Sequence, residues 1–256
     1  MSIAVAGLPP RQALSPEELE RYDRQIRMFG RDAQLRLKNS SVLVVGIGGL
    51  GSPASIYLAA AGVGRLVLLD FEKVELSNLN RQVAHWTPDI GRLKVESAAE
   101  KIRKLNPGVD VETLAERLDE SNVRDIVSSV DVVVDGLDNW ASRFLVNRVC
   151  VELGKPLVHA GVRGMHGQLT VVYPGRGPCL QCIIPRPPPE EKVFPVLGTT
   201  PGVMGVLEAN EAIKLITGYG RPLIGRLLIY DGLNAEISIV SIRKRKNCPV
   251  CGSEGR

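Results

Sequence analysis

The chain has 256 residues, a formal charge of +4, 44% apolar residues and five cysteines. That length can bury a substantial core, in one large α/β domain, which is favoured, or in two small ones, while so small a basic excess argues against a dedicated nucleic-acid surface. The opening MSIAVAGLPPRQ lacks the basic leader and the long apolar stretch of a signal peptide, and no run reaches membrane-spanning length, so a cytoplasmic protein with no membrane partner is expected.

In SPEELERYDRQIRMFG, Ser15 stands where an N-cap would, Pro16 takes the first helical position, and Glu18 completes a capping box, predicting a helix. A strand over 42–46, an alanine-rich helix from Leu50 to Ala61 and a strand over 66–70 then form a βαβ unit. GRLKVESAAEKIRKL is amphipathic and stops at Asn106-Pro107-Gly108. Strand 109–113, helix 120–129, strand 131–135, helix 141–153 and strand 157–160 continue the alternation, which predicts an α/β fold built on a doubly wound, Rossmann-like parallel sheet. Beyond it GQLTVVYP, RLLIYD and EISIVSI read as antiparallel strands extending that sheet, with one helix over 203–217. IPRPPPEEKVFPVLGTTPG holds too much proline for regular structure and predicts a mobile surface crossing.

VVGIGGLG places Gly46, Gly48 and Gly51 in the G-x-G-x-x-G spacing, with Gly49 beside them. Such a loop joins a buried strand to a helix, where absent Cβ atoms and free N–H groups admit a phosphate. Asp70 closes the next apolar run at the spacing of a ribose-binding acid. Those two features alone also fit an NAD-dependent oxidoreductase. The segment FEKVELSNLNRQ adds Asn78, Arg81 and Gln82 at the carboxyl edge of the sheet, a cationic, amide-rich loop suited to a triphosphate, or otherwise a solvated turn. Lys94 can add a second charge over the same phosphates or be an ordinary helix lysine. Asp138 and Asn139 follow an apolar strand onto the same edge, where Asp138 could hold Mg²⁺.

Four cysteines form two C-x-x-C pairs, Cys179 with Cys182 and Cys248 with Cys251. Paired in space they make a closed Cys₄ zinc site that ties the last segment to the sheet; the alternatives are free thiols or a redox pair. The fifth, Cys150, lies in RFLVNRVCVEL with apolar residues at helical spacing, which predicts a buried and unreactive thiol. His85, His159 and His166 show no metal-ligand spacing and are read as structural.

RYDRQ, GIGGLGSP, LAAAGVG, LLDFEKVELSNLNRQ, IGRLKVESA, LNPGV, DGLDNWASR, GPCLQC and CPVCG occur in this order, and in this the chain resembles the MoeB/ThiF/HesA family, prokaryotic relatives of ubiquitin-activating enzymes. The resemblance runs from about Leu14 to Gly252. It implies one adenylation domain over 1–256, with a nucleotide-binding part at about 14–160 and a partner-binding and zinc part at about 161–252. It implies too that ATP and Mg²⁺ serve to adenylate the C-terminal glycine of a small ubiquitin-like β-grasp protein ending in Gly-Gly, releasing pyrophosphate. On matching positions Gly49 contacts the nucleotide, Asp70 the ribose, and Asn78, Arg81 and Lys94 the phosphates, with Asp138 at the metal and Gln82 and Asn139 completing the pocket. Arg24 matches an arginine supplied to the neighbouring subunit's phosphates, which implies a homodimer. Family members that pass sulfur or form a thioester carry a cysteine in the crossing; residues 183–202 have none, and no rhodanese or ubiquitin-fold module follows, so adenylation alone is expected.

Overall fold

The computed structural model describes residues 13–189 and 194–252. Ser15 caps α1 (Pro16–Arg21): its hydroxyl accepts from the Glu18 N–H at 3.1 Å, and Glu18 Oε2 accepts from the Ser15 N–H at 2.7 Å, the capping box expected. The single helix predicted here is divided. Tyr22 is buried and its hydroxyl accepts from Asn106 at 2.8 Å, an anchor that bends the chain before α2 (Asp23–Phe29). Gly30, at φ 85°, turns it again into α3 (Arg31–Lys38), which the sequence reading did not anticipate and which buries Ala33, Gln34 and Leu37.

Val42, Leu43, Val44 and Val45 are all fully buried in β1 (Ser41–Val45), and β2 (Arg65–Leu69) is buried in the same way. A strand covered on both faces needs such an unbroken apolar run. In parallel, β1 pairs with β2 and β4 (Val132–Asp135), β2 with β3 (Asp110–Leu114), and β4 with β5 (Leu157–Arg163). The chain then runs antiparallel through β6 (His166–Val172), β7 (Arg226–Asp231) and β8 (Glu236–Ser241). The order β3-β2-β1-β4-β5-β6-β7-β8 is the parallel sheet with an antiparallel extension that the sequence predicts. β5 runs past residue 160 because it continues into a hairpin with β6, pairing Arg163 with His166.

Helices cover both faces. α4 (Gly51–Ala61) and α5 (Lys94–Leu105) pack on one side; α6 (Val123–Ser128), α7 (Trp140–Leu153) and the short α8 (Leu180–Ile183) share the core on the other. α9 (Thr199–Thr217) lies on the first side, against β4, β5 and α4. It starts earlier than predicted because Pro201 sits in the first turn, where no backbone N–H is needed. The proline-rich crossing falls partly outside the described residues. Its end is not free: Gly164 N donates to the Pro195 carbonyl at 2.7 Å, and Leu197 N to the Gly164 carbonyl at 3.1 Å. No helix among the described residues is long and apolar enough to cross a membrane.

Candidate functional site

Beyond β1 the chain turns at Gly46, whose φ is +87°, and α4 begins at Gly51. Ile47 is fixed at both polar atoms: its N–H donates to Asp70 Oδ2 at 2.8 Å, and its carbonyl lies 2.9 Å from His85 Nε2 and 3.2 Å from the Ser52 hydroxyl. Among the described residues, the N–H groups of Gly48, Gly49 and Leu50 donate to no acceptor. Three consecutive free donors at the head of an eleven-residue helix make a cradle for an anion, reinforced by the helix dipole.

Asp70, Arg81 and Gln82 border this cradle. Gln82 is buried, with Oε1 unpartnered, and its Nε2 lies 3.7 Å from where a Cβ on Gly48 would stand. A Cβ on Gly49 would lie 3.1 Å from Pro201 and 3.6 Å from Arg81 Cγ, so the arginine stem and the head of α9 wall one side of the loop. Arg81 Nη1 donates to the Ser77 carbonyl at 2.8 Å and to Asn80 Oδ1 at 3.0 Å. Asn78 is buried and accepts from the Glu75 N–H at 3.0 Å, which shapes the turn that carries Arg81. Lys94 is buried at the first position of α5 with its ammonium 2.5 Å from Glu72 Oε2. Burial pushes the Asp70 carboxyl above the usual carboxylate range, against the pull of Lys94 and of the N–H groups of Glu72 and Ile47.

Gly136 brings the end of β4 against Gly46, and Asp138 follows, exposed. Asn139 is engaged as the N-cap of α7, its Oδ1 accepting from the Ser142 N–H at 2.9 Å, with its Nδ2 3.5 Å from Asp138 Oδ1. Arg24 stands apart, exposed on α2, with no hydrogen bond or ion pair to the other candidates among the described residues.

A buried polar cluster beneath Asp138 was not singled out from sequence. Asp135 ends β4 fully buried; its Oδ1 accepts from the Leu137 N–H at 3.0 Å, and its Oδ2 lies 2.6 Å from His159 Nδ1. Arg143 Nη2 donates to the Leu137 carbonyl and, at 3.2 Å, to that of Ala160. Leu137 is thus pinned at both polar atoms, which fixes the turn presenting Asp138. On α9, Glu208 is fully buried with neither carboxyl oxygen hydrogen-bonded among the described residues. Burial drives its pKa well up; the charge of Asp135 adds to this, while the charge of Arg143 and the nearby Ala160 N–H, outside good hydrogen-bond geometry, oppose it. Asp135 and His159 meet because β4 and β5 pair in that register, which no local pattern displays.

The two C-x-x-C pairs meet as well. Their four sulfurs lie within 4.8 Å of one another, with Cys179 3.5 Å from Cys248 and Cys182 3.4 Å from Cys251, and the Arg245 N–H points at the Cys182 sulfur from 3.4 Å. A tetrahedral ion with ~2.3 Å bonds to sulfur sets its four ligands roughly 3.8 Å apart. The donor set therefore fits one thiophilic metal ion with no open position. Cys150 is fully buried on α7, and burial pushes its thiol far above the ordinary range. His85 and His159 are buried and hydrogen-bonded; His166 is exposed beside Asp231.

Residues 22–250 match the ThiF family. Adenylyltransferase and sulfurtransferase MOCS3 of Bos taurus is 47% identical over 98% of this chain and 57% of that protein. The SAMP-activating enzyme E1 of Haloferax volcanii is 46% identical over 95% of this chain and 92% of that protein. The chain spans little more than half the length of the MOCS3 relatives it matches. A crystal structure of E. coli MccB with MccA-N7isoASN superposes with a TM-score of 0.83 at 24% identity, covering 96% of this chain and 77% of that one, a likeness of fold.

Proposed function

The chain belongs to the ThiF family, and from that premise we propose that it uses ATP to adenylate the C-terminal carboxylate of a small ubiquitin-like β-grasp protein ending in Gly-Gly. The observation that carries this reading is the row of free N–H groups at Gly48, Gly49 and Leu50, walled by Arg81 and Gln82. The names of the relatives, an adenylyltransferase and an E1 activating enzyme, support the same reaction class.

One oxygen of the partner's carboxylate attacks the α-phosphorus of ATP, and the bond to the β-phosphate breaks, releasing pyrophosphate and leaving an acyl-adenylate. A carboxylate is already ionised near neutrality and needs no general base. What the protein supplies is alignment of two anions and stabilisation of the charge that builds on phosphate. In this reading Arg81 and Lys94 are the cations, Asn78, Gln82 and Asn139 line the pocket, Asp70 holds the ribose side, and Asp138 on its pinned turn takes Mg²⁺, which would neutralise phosphate charge. The cysteine cluster would hold zinc as a structural tie between the last segment and α8. We assign the cytoplasm, since a thiolate cluster suits a reducing compartment.

Arg24, apart from the site within one chain, is assigned to the phosphates of a second copy, so the functional unit is a homodimer. We propose no nucleic-acid or membrane partner. The nucleotide part of the domain is placed at about 14–160 and the partner-binding and zinc part at about 161–252. Calorimetry with ATP–Mg²⁺ and with NAD tests the reading: binding of ATP–Mg²⁺ alone is expected, and binding of NAD in its place would turn the site into that of an oxidoreductase.

A further inference from the structure

His85 lies under the glycine loop, three residues beyond Gln82 in the same turn, where its N–H donates to the Gln82 carbonyl at 3.0 Å, and it is 3% exposed. Its Nε2 is 2.9 Å from the Ile47 carbonyl and its Nδ1 2.9 Å from the Ser97 hydroxyl on α5. A carbonyl only accepts, so Nε2 carries a proton. Burial and the positive charges of Lys94 and Lys101 on α5 hold the ring below the ordinary imidazole range, with the Ile47 bond and Asp89 acting the other way. In the neutral ring Nδ1 must then accept, and Ser97 donates to it. The Ser97 oxygen in turn accepts from the Lys101 ammonium at 3.1 Å, and Lys101 pairs with Asp89. The hydrogen bonds therefore run in one direction, from Lys101 through Ser97 and His85 to Ile47.

We propose that His85 is a positioning residue for nucleotide binding, holding the glycine loop to α5 so that the free N–H groups of Gly48, Gly49 and Leu50 and the ammonium of Lys94 keep a fixed relation. The inference rests on the nucleotide reading of the site. Ile47 is the last residue before the three free donors, and its other polar atom is taken by Asp70, so His85 completes the clamp at the root of the cradle. Ser52 also donates to the Ile47 carbonyl, so removing His85 shifts the loop without leaving that oxygen bare.

Two amide variants separate the two halves of the bridge. In His85→Gln the side-chain amide nitrogen reaches as far as Nε2 and keeps the bond to Ile47. In His85→Asn the amide stops near Nδ1, keeping Ser97 and losing the loop. Calorimetry with ATP–Mg²⁺ should show affinity weakened roughly three- to tenfold in His85→Asn, the usual worth of one hydrogen bond, and near wild type in His85→Gln. In steady state the KM for ATP should rise in His85→Asn with kcat little changed. Hydrogen exchange of the unliganded proteins should be faster over residues 46–50 in His85→Asn alone. Equal behaviour of the two variants in both measurements, or losses that follow only their melting temperatures, would overturn the proposal. If wild-type protein binds no ATP–Mg²⁺ the nucleotide reading falls, and the exchange comparison still decides whether His85 holds the loop.

Discussion

Gly46 and Gly136 stand so close that a Cβ on Gly46 would lie 2.7 Å from the Gly136 carbonyl oxygen, and one on Gly136 would run into the Gly46 carbonyl in return. This contact closes the gap between the ends of β1 and β4, where the strand order leaves the sheet open to a ligand. It sets the glycine loop beside the turn that carries Asp138.

Gly46→Ala therefore meets both that clash and a positive φ, a conformation that costs an L residue about 1–2 kcal/mol by itself. Gly48→Ala meets only an ordinary 3.7 Å contact with Gln82. Thermal unfolding should show Gly46→Ala clearly destabilised and Gly48→Ala close to wild type, while calorimetry shows Gly48→Ala weakened for ATP–Mg²⁺. Equal melting temperatures for the two variants would contradict the packing argument.

Arg81→Ala and Lys94→Ala should each lower adenylation roughly a hundredfold, the typical loss of one preorganised charge donor, and leave the fold intact. Lys94 is buried, but its partner Glu72 is half-exposed and can be rehydrated when the ammonium goes. If Arg24 serves a second copy, mixed Arg24→Ala and Arg81→Ala subunits regain one complete site and exceed either parent. Failure to complement after verified subunit exchange would remove Arg24 from the partner's site.

Purified protein should contain about one zinc per chain, and Cys248→Ser or chelation should loosen the C-terminal segment, because a structural site contributes its binding energy to folding. Elemental analysis of protein prepared without chelator, read beside hydrogen exchange over 242–252, is the check. Absence of zinc would return the four thiols to the alternatives of free or redox-active cysteines.

Much of this was legible in the sequence because it is local. Buried β-branched runs marked the parallel strands, the glycine spacing marked the loop, and paired C-x-x-C spacing marked the sulfur cluster. What escaped depends on tertiary contacts. Tyr22 divides the first helix because Asn106, far along the chain, reaches its hydroxyl. Pro201 counted against helix by composition, yet it fits the first turn of α9. The Asp135–His159 pair exists only in the register of β4 and β5, and the role of His85 only in the approach of α5 to Ile47. Asn139 was legible as a polar residue at the right edge, and its use as a helix cap was not.

Cys150 is the sole cysteine outside the cluster, and it is fully buried. A buried thiol in apolar surroundings stays protonated and is a poor nucleophile. Enzyme incubated with ATP–Mg²⁺ and a Gly-Gly partner should show adenylated partner and unmodified enzyme by intact-mass spectrometry. A reductant-sensitive adduct lost in Cys150→Ser would overturn this.

Exchange of labelled pyrophosphate into ATP reports directly on adenylation of a protein carboxylate. With Mg²⁺ and a β-grasp protein ending in Gly-Gly, exchange should be robust; it should vanish without the partner or when its last glycine is removed, and fall sharply in Asp138→Asn. No exchange, with ATP–Mg²⁺ and a stably associated Gly-Gly partner both bound, would rule out adenylation of that partner.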